Sequence, residues 1–363
     1  MSGKRRILIT ELWGLGDLTL ATPFIREALK DSEVFLLSKP HAKELLHPSF
    51  SGLQFLYITA PWTSHRGKYR LWEWDWKALL ATIARLRDLQ FDLAISVRND
   101  PRDHLLMWLS GARKRLGFGV YKSEIFLTQS LKRPSRRQHR MEDWMQIGNE
   151  LGFAMNEEVG AVLRPPGYFT LRVEEILERV KKPLFILHTG SQIPVRRWPS
   201  KYFGALIQEL RKRYDFHLLL IPDPDGYGLD CDWLADSTIT SLTTRELVGL
   251  LGSADLLLCN DSGPAHITAG CGRPVIAVFG PGEPAWFRPW GDQHRVVIRD
   301  ICPHRPCFDY CRYSEAKCLT ELTPEMAVPE ILEQIESLIE RGLLSKALRK
   351  QSIRSLGSLG SLG

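Results

Sequence analysis

Residues Leu256 to Pro281, LLLCNDSGPAHITAGCGRPVIAVFGP, decide the fold class of this chain. An apolar strand runs into Asn-Asp-Ser-Gly, a short helix follows, and a second apolar strand ends at Gly280. His266 lies one helical turn beyond Gly263. A helix that begins directly after a strand points unpaired N–H groups and the positive end of its dipole at the strand end. The stretch therefore predicts an α/β sheet with an anion site, above all for phosphate.

Length and composition favour a globular protein of two domains. The chain has 363 residues, 44% of them hydrophobic and 25% charged, and this length exceeds what one core usually holds. Its longest apolar runs, such as PLFIL and FHLLLIP, are too short for a membrane span. The N-terminal MSGKRRILIT has neither the apolar stretch nor the cleavage site of a signal peptide. We therefore expect a cytoplasmic protein whose cysteines are reduced unless they hold a metal.

Positive charge is concentrated in one region. The net charge is +6, and residues 112–140 carry nine Lys or Arg against one acidic residue, Glu124. Such a region suits a phosphate-bearing substrate or the anionic cytoplasmic leaflet of a membrane, although a solvated positive face explains it equally well. Nucleic acid is not expected as a partner, because no recognisable nucleic-acid-binding module accompanies these residues.

Strand-like runs alternate with helical periods almost from end to end, and the pattern restarts after Pro165-Pro166-Gly167. Repeated βα units predict parallel sheets that bind their ligands at the carboxyl ends of the strands. We therefore predict two facing Rossmann-like domains, residues 1–165 and 166–345, with a central cleft. A low-complexity tail, residues 346–363, is expected to be disordered. One predicted helix, Leu18–Lys30, should bend at Pro23.

Two further turns follow predicted strands. In ELWGLGDLTLATPF, Gly14 and Gly16 allow a tight turn, and Asp17 occupies the place of a helix N-cap. An ordinary cap is the alternative, since the full GxGxxG fingerprint is absent. In LHTGSQIPVRRWPSKYF, small residues at 189–191 let a backbone approach phosphate, and a following Arg can hold it in a planar fork. A basic turn with a packing Trp is the alternative there.

Together these segments resemble glycosyltransferase family nine, the heptosyltransferases of lipopolysaccharide core assembly. The resemblance rests on GLGDLTLATPFIREALK, HTGSQIPVRRWPSKYF and NDSGPAHITAGCGRPVIAVFGPGEPAWFRP, and it extends from about residue 5 to residue 340. It implies a GT-B fold, an N-terminal acceptor-binding domain and a C-terminal domain for the nucleotide sugar. It also implies ADP-heptose as the donor, inversion at the anomeric carbon, and a glycolipid or oligosaccharide acceptor.

The resemblance also implies roles for individual residues. Asp17 matches the general base, which takes the proton of the acceptor hydroxyl. Arg196 matches a basic residue that neutralises the departing pyrophosphate, so no cofactor or divalent metal is required. Seven residues match the donor-binding turns: Thr189, Gly190, Ser191, Asp261, Ser262, Gly263 and His266. A buried core histidine is the alternative for His266. Asp225 is a weaker candidate for contact with the ribose.

Acceptor binding is expected at two basic segments. The first, Thr59–Trp76, combines tryptophans, which stack on sugar faces, with three cations, Arg66, Lys68 and Arg70. The alternative is a surface loop that Trp76 anchors to the next helix. The second segment, KRPSRRQHR at 132–140, includes Arg136 and Arg137 and suits either the acceptor or the membrane surface.

Four cysteines, Cys302, Cys307, Cys311 and Cys318, have a spacing that could chelate structural zinc or iron. The alternative is a small subdomain of reduced thiols. Two other functions also remain open for the whole chain. One is a GT-B-shaped sugar-nucleotide epimerase or hydrolase, and the other is a degenerate, non-catalytic nucleotide-sugar-binding protein.

Overall fold

The computed structural model describes residues 4–63, 70–133, 138–156, 160–164 and 170–350. The chain divides into two compact units, Met1–Leu163 and Arg164–Gly363. This division falls two residues before the boundary predicted from the sequence.

The first unit is a parallel sheet flanked by helices. Its sheet has six strands in the order β3-β2-β1-β4-β5-β6. The strands are β1 (Arg5–Thr10), β2 (Ser32–Ser38), β3 (Gln54–Tyr57), β4 (Leu93–Ser96), β5 (Lys114–Gly117) and β6 (Gln129–Ser130). The helices are α1 (Leu15–Leu20), α2 (Thr22–Asp31), α3 (His41–Leu46), α4 (Trp76–Asp88), α5 (Pro101–Leu109) and α6 (Arg140–Glu150). The strand order reverses direction between β1 and β4, which creates a crevice at their carboxyl ends.

The predicted helix Leu18–Lys30 is two helices rather than one bent helix. α1 ends at Leu20, and α2 begins at Thr22 with Pro23 in its first turn. Proline is well tolerated there because the first N–H groups of a helix have no intrahelical partner. α1 also begins earlier than predicted, with Gly14 as its N-cap, so Asp17 lies inside the first turn and is not the cap.

The second unit repeats this architecture. Its sheet has six parallel strands in the order β12-β11-β10-β7-β8-β9, with the reversal between β7 and β10. The strands are β7 (Leu184–His188), β8 (His217–Ile221), β9 (Ser237–Thr238), β10 (Leu256–Asn260), β11 (Val275–Phe279) and β12 (Arg295–Ile298). The helices are α7 (Leu171–Arg179), α8 (Ser200–Arg213), α9 (Thr244–Ser253), α10 (Gly263–Gly270), α11 (Pro284–Phe287), α12 (Lys317–Thr320) and α13 (Pro324–Glu340).

The last described residues of the chain pack into the core of the second unit, contrary to the prediction of a disordered tail. Trp198 is fully buried among the side chains of α8 and α13, and its Nε1 donates to the carbonyl of Leu322 at 2.8 Å. Leu348 belongs to the same core, and Arg349 forms an ion pair with Glu336 of α13. Residues 346–350, predicted as part of a disordered tail, are therefore packed on this unit.

Within the described ranges, none of the helices combines the length and the apolar character needed to cross a membrane.

Candidate functional site

In the second unit, two predicted phosphate turns lie side by side. Strands β7 and β10 are hydrogen-bonded neighbours, with Cys259 paired to His188. The turn after β7, Thr189–Ser191, and the turn after β10, Asp261–His266, therefore leave the sheet at adjacent strand ends. This is the reversal point of the sheet, where open α/β folds bind ligands.

A buried asparagine joins these turns. Asn260, at the end of β10, donates through Nδ2 to the carbonyl of Thr189 at 2.6 Å. Its Oδ1 accepts a hydrogen bond from the backbone N–H of Trp198 at 2.9 Å. Asn260 thus fixes the β7 turn and the start of α8 relative to α10. The sequence placed Asn260 in the turn but gave no signal of this bracing role.

The turn after β7 is occupied by a carboxylate of the protein itself, that of Asp223. Asp223, which follows β8, accepts a hydrogen bond from the Ser191 N–H at 2.8 Å. A Cβ at Gly190 would lie 2.9 Å from an oxygen of the same carboxylate, so only glycine fits there without a shift. Thr189 donates its hydroxyl to the carbonyl of Tyr227 at 3.1 Å. A phosphate could use the Ser191 N–H only by displacing Asp223, a constraint that sequence reasoning missed.

Adjacent arginines serve different partners. Arg196 Nη1 lies 3.5 Å from Asp261 Oδ2, and its Nη2 donates to Asp309 Oδ1 at 3.1 Å. Arg197 instead pairs with Asp223 at 2.9 Å and with the exposed Asp225 at 2.7 Å. Arg196 is therefore next to the turn that opens α10, whereas Arg197 braces the segment that fills the other turn. Asp225, suggested as a ribose contact, is engaged with Arg197.

α10 presents its N-terminus beside Arg196. Ser262 is the N-cap residue, and its hydroxyl donates to the carbonyl of Asn260 at 3.1 Å. Gly263 is the first helical residue, so its N–H is among those with no intrahelical acceptor. His266 is buried one turn further, and burial, followed by the charge of His294, lowers its pKa to about 4. At neutral pH His266 is therefore an uncharged imidazole, so any bond to phosphate would be that of a neutral donor.

In the first unit, Asp17 lies near the carboxyl ends of β1 and β4. Its side chain is 19% exposed, and Arg140 Nε at the start of α6 is 3.9 Å from Asp17 Oδ1. Arg140 also pairs with Asp143 at 3.0 Å and donates to the Val97 carbonyl just after β4. A guanidinium close to a half-buried carboxylate favours the ionised, proton-accepting form of that carboxylate. This geometry suits a base, although sequence reasoning did not connect Arg140 with Asp17.

A buried ion-pair network surrounds this site. Arg98, which follows β4, is 2% exposed and pairs with Asp103 on α5 at 3.0 Å. Burial raises the pKa of Asp103 to about 6, although the positive charge of Arg98 acts to lower it. Trp62, one of the tryptophans assigned to sugar stacking, is buried and donates its Nε1 to Asp103. That tryptophan therefore braces the network, and its stacking role is wrong.

Only some of the cations in the two basic segments are exposed to solvent. Arg133 pairs with Asp143 at 2.8 Å, and Arg140 is buried, so two cations of the second segment serve internal ion pairs. Arg70 is exposed and pairs with Glu73 at 3.0 Å. The predicted acceptor residues Arg66, Lys68, Arg136 and Arg137 lie outside the described residues.

The four clustered cysteines lie near one another. Burial, the larger cause, raises the pKa of Cys318 to about 11, and Cys307, Cys302 and Cys311 lie close enough to it for their thiolates to contribute to this rise. In the part of the chain that the structure describes, no group of three or more His, Cys, Asp or Glu side chains is arranged to hold a metal ion. Structural zinc or iron at these cysteines stays a prediction.

Comparison with known proteins identifies the family. The model of glycosyltransferase family 9 (heptosyltransferase) matches residues 79–317. The chain belongs to glycosyltransferase family 9. The match includes both joined turns of the second unit and Arg196, whereas Asp17 lies before it.

Individual relatives of this family-9 chain agree with that assignment. The Haemophilus influenzae lipopolysaccharide core heptosyltransferase OpsX is 21% identical over 234 residues, 61% of this chain. A Campylobacter jejuni lipooligosaccharide heptosyltransferase 2 is 31% identical over 167 residues, 43% of this chain. The chain spans 66% and 52% of the length of these two curated relatives.

A solved structure shows the fold. The E. coli heptosyltransferase WaaC with ADP superposes with a TM-score of 0.65 and 17% identity, covering 91% of this chain and 99% of that one. The family-9 chain therefore has the GT-B fold class, with two Rossmann-like domains. This confirms both the resemblance and the fold predicted from the sequence.

Proposed function

We propose that this chain is an inverting heptosyltransferase that moves heptose from ADP-heptose to a sugar of a lipopolysaccharide-core-type acceptor. The observation that carries the proposal is the N-terminus of α10 beside Arg196, at the β7/β10 reversal that Asn260 braces, in a member of family 9. The names of the relatives support the transferred sugar and the acceptor class. The ADP bound to WaaC, and the ADP-2-deoxy-2-fluoro heptose bound in another structure of that enzyme, support the donor.

In the proposed reaction, the second unit stabilises the leaving group. The bond between the anomeric carbon and the diphosphate oxygen breaks, and its electron pair leaves with ADP. The N-terminal N–H groups of α10 and the guanidinium of Arg196 would face the growing negative charge. Asp261 and Asp309 hold that guanidinium beside the helix before the donor binds. On binding, the diphosphate would compete with these two carboxylates for Arg196.

The first unit supplies the base. A sugar hydroxyl is a weak nucleophile, and a positioned carboxylate that takes its proton typically accelerates attack about 10²–10⁴-fold. Asp17, with Arg140 Nε 3.9 Å from its Oδ1, would accept that proton while the hydroxyl oxygen attacks the anomeric carbon. Attack from the face opposite the departing diphosphate inverts the configuration.

We further propose that transfer requires no divalent metal, because Arg196 and α10 meet the charge of the diphosphate. Metal analysis of freshly purified protein tests the separate question of the cysteines. Zinc or iron near one equivalent would support a structural site at Cys302, Cys307, Cys311 and Cys318, whereas less than about a tenth of an equivalent would exclude it.

A glycolipid acceptor implies contact with the membrane surface. On the first unit, Trp72 and Leu80 are 80% and 63% exposed, and Trp76 is 46% exposed. The exposed Lys77 lies among them in sequence, next to Trp76 on the same helix, α4. Exposed Glu73 and Asp75 offset the charges of Arg70 and Lys77 in this segment, so the attraction would rest on the aromatic and aliphatic side chains, which suit a membrane interface. We therefore propose that this surface contacts the cytoplasmic face of the inner membrane.

A nucleotide panel tests the donor class. Melting temperatures are compared with ADP, UDP, GDP and CMP, and then with ADP-heptose. A ligand at 100 times its dissociation constant adds about 2.7 kcal/mol to native-state stability, which is readily detected. Selective stabilisation by ADP supports the proposal, and selective stabilisation by UDP or GDP contradicts it. Release of free heptose or an epimerised donor without an acceptor would favour the hydrolase or epimerase function instead.

A further inference from the structure

A second carboxyl group is buried beside the proposed base. Glu11 follows β1 directly and is 0% exposed. Its Oε1 accepts a hydrogen bond from the Trp13 N–H at 3.1 Å, within the turn that leads to Asp17. Its Oε2 is buried without a hydrogen-bond partner among the described residues. An ionised carboxylate with one oxygen so placed would be costly, whereas a neutral acid is much less so.

Charged groups from four neighbouring elements face Glu11. They are Asp17 on α1, Lys39 after β2, Arg98 after β4 and Arg140 at the start of α6. Burial, and next the negative charge of Asp17, raise the pKa of Glu11 to about 8, while Arg98 and Arg140 oppose the rise.

The two arginines are held in place by other contacts. Both guanidinium groups lie over the ring of Trp13, Arg98 at 4.7 Å and Arg140 at 4.5 Å from its centre. Each also has a carboxylate partner, Asp103 for Arg98 and Asp143 for Arg140, at 3.0 Å. An ionised Glu11 would compete for these cations and place a second negative charge beside Asp17.

We propose that Glu11 is a positioning residue that acts through Asp17: as a neutral acid it fixes the Trp13 turn and leaves Asp17 as the anion that Arg140 faces. Its ionisation would draw the arginines from Trp13 and disable the base. Two interacting carboxyl groups whose environments hold them in different protonation states are a recurring arrangement in acid–base sites. The inference rests on the proposed function, and it adds a residue that contacts neither substrate.

The first test needs no substrate. Glu11→Gln keeps the shape and the acceptor oxygen for the Trp13 N–H but cannot ionise. A carboxyl group whose pKa is raised by folding contributes stability that is fully present below its unfolded pKa and is lost as the pH rises through its folded pKa. That window runs from 4.5 to about 8. The melting temperature of Glu11→Gln minus that of the wild type should therefore rise across this window, by at least about 3 °C.

The same substitution at an exposed site provides the control. Glu175 on α7 is exposed, so the corresponding difference for Glu175→Gln should stay flat with pH. A flat difference for Glu11→Gln as well would overturn the proposal.

The second test measures kcat/KM for the acceptor against pH, at saturating ADP-heptose. The wild type should lose about tenfold per pH unit above about pH 8, and Glu11→Gln should not show this loss. An unchanged alkaline loss in Glu11→Gln overturns the proposal. So does a loss above about 100-fold at neutral pH in a variant that melts normally. If the wild type transfers no heptose, both the proposed function and this role of Glu11 are overturned. The difference in melting temperature would still change with pH in that case, which separates it from a failure of the Glu11 proposal alone.

Discussion

Replacing Arg196 with alanine tests how the second unit handles the leaving group. The guanidinium is 21% exposed and donates to Asp309 at 3.1 Å while facing Asp261 at 3.5 Å. A hydrogen bond to a charged group contributes about 1.5–3 kcal/mol. If one such bond to the diphosphate strengthens as the glycosidic bond breaks, its loss slows the chemical step about 10-fold to 150-fold.

The assay is ADP release at saturating ADP-heptose and acceptor, so that kcat rather than binding is compared. A melting curve of each variant shows whether the unit remains folded without the cation between Asp261 and Asp309. Arg197→Ala is the matched control, because Arg197 lies next in sequence and pairs with Asp223 and Asp225 instead. We expect this control to change stability or the KM for the donor more than kcat.

A wild-type kcat in folded Arg196→Ala would show that Arg196 does not stabilise the charge that develops on the leaving group. Equal losses of kcat in both variants would also contradict it, because the two guanidinium groups have different partners.

Three further predictions follow from the same structure. Asp17→Asn should lower kcat by about 10²–10⁴-fold with little change in melting temperature, because the amide keeps the shape but cannot accept the proton; a near-normal rate in the transfer assay would exclude Asp17 as the base. Asn260→Ala removes two buried hydrogen bonds between the turns and should lower the free energy of unfolding by about 2–3 kcal/mol in a urea titration; an unchanged midpoint would show that Asn260 is not a brace. Trp72→Ser with Leu80→Ser should reduce co-sedimentation with anionic vesicles, whereas Trp233→Ser, a 71% exposed tryptophan of the second unit, should not; equal binding by all variants would argue against this membrane surface.

The sequence predicted the parts of the fold that depend on local pattern. Apolar strands followed by glycine turns identified β7 and β10, and their βα repetition predicted two parallel sheets. The end of helix α1 was harder to predict, because Pro23 is compatible both with a bend inside one helix and with the first turn of a second helix. The packing of Leu348 was missed, because the repetitive segment that follows it dominated the pattern near the C-terminus.

The chemistry of the site depended on contacts between distant residues. Nothing in the Thr189–Ser191 turn indicates that Asp223, more than thirty residues later, would fill it. Likewise, the two successive arginines at 196 and 197 have the same local pattern, and only the packed unit assigns them different carboxylates. In the sequence, Glu11 is a single acidic residue after a strand. Its burial depends on residues distant in the chain that pack around it in the folded unit. Motifs therefore located the turns, while long-range packing determined which of their donors are available.

The proposed transfer of heptose from ADP-heptose with inversion can be measured by incubating the purified chain with ADP-heptose and a lipopolysaccharide-core oligosaccharide. The product is then analysed by mass spectrometry, and its anomeric configuration by NMR. We expect one added heptose per acceptor, the anomeric configuration opposite to that of the donor, and one ADP released for each heptose transferred. Retention of configuration, or ADP release with no change in the acceptor, would contradict it.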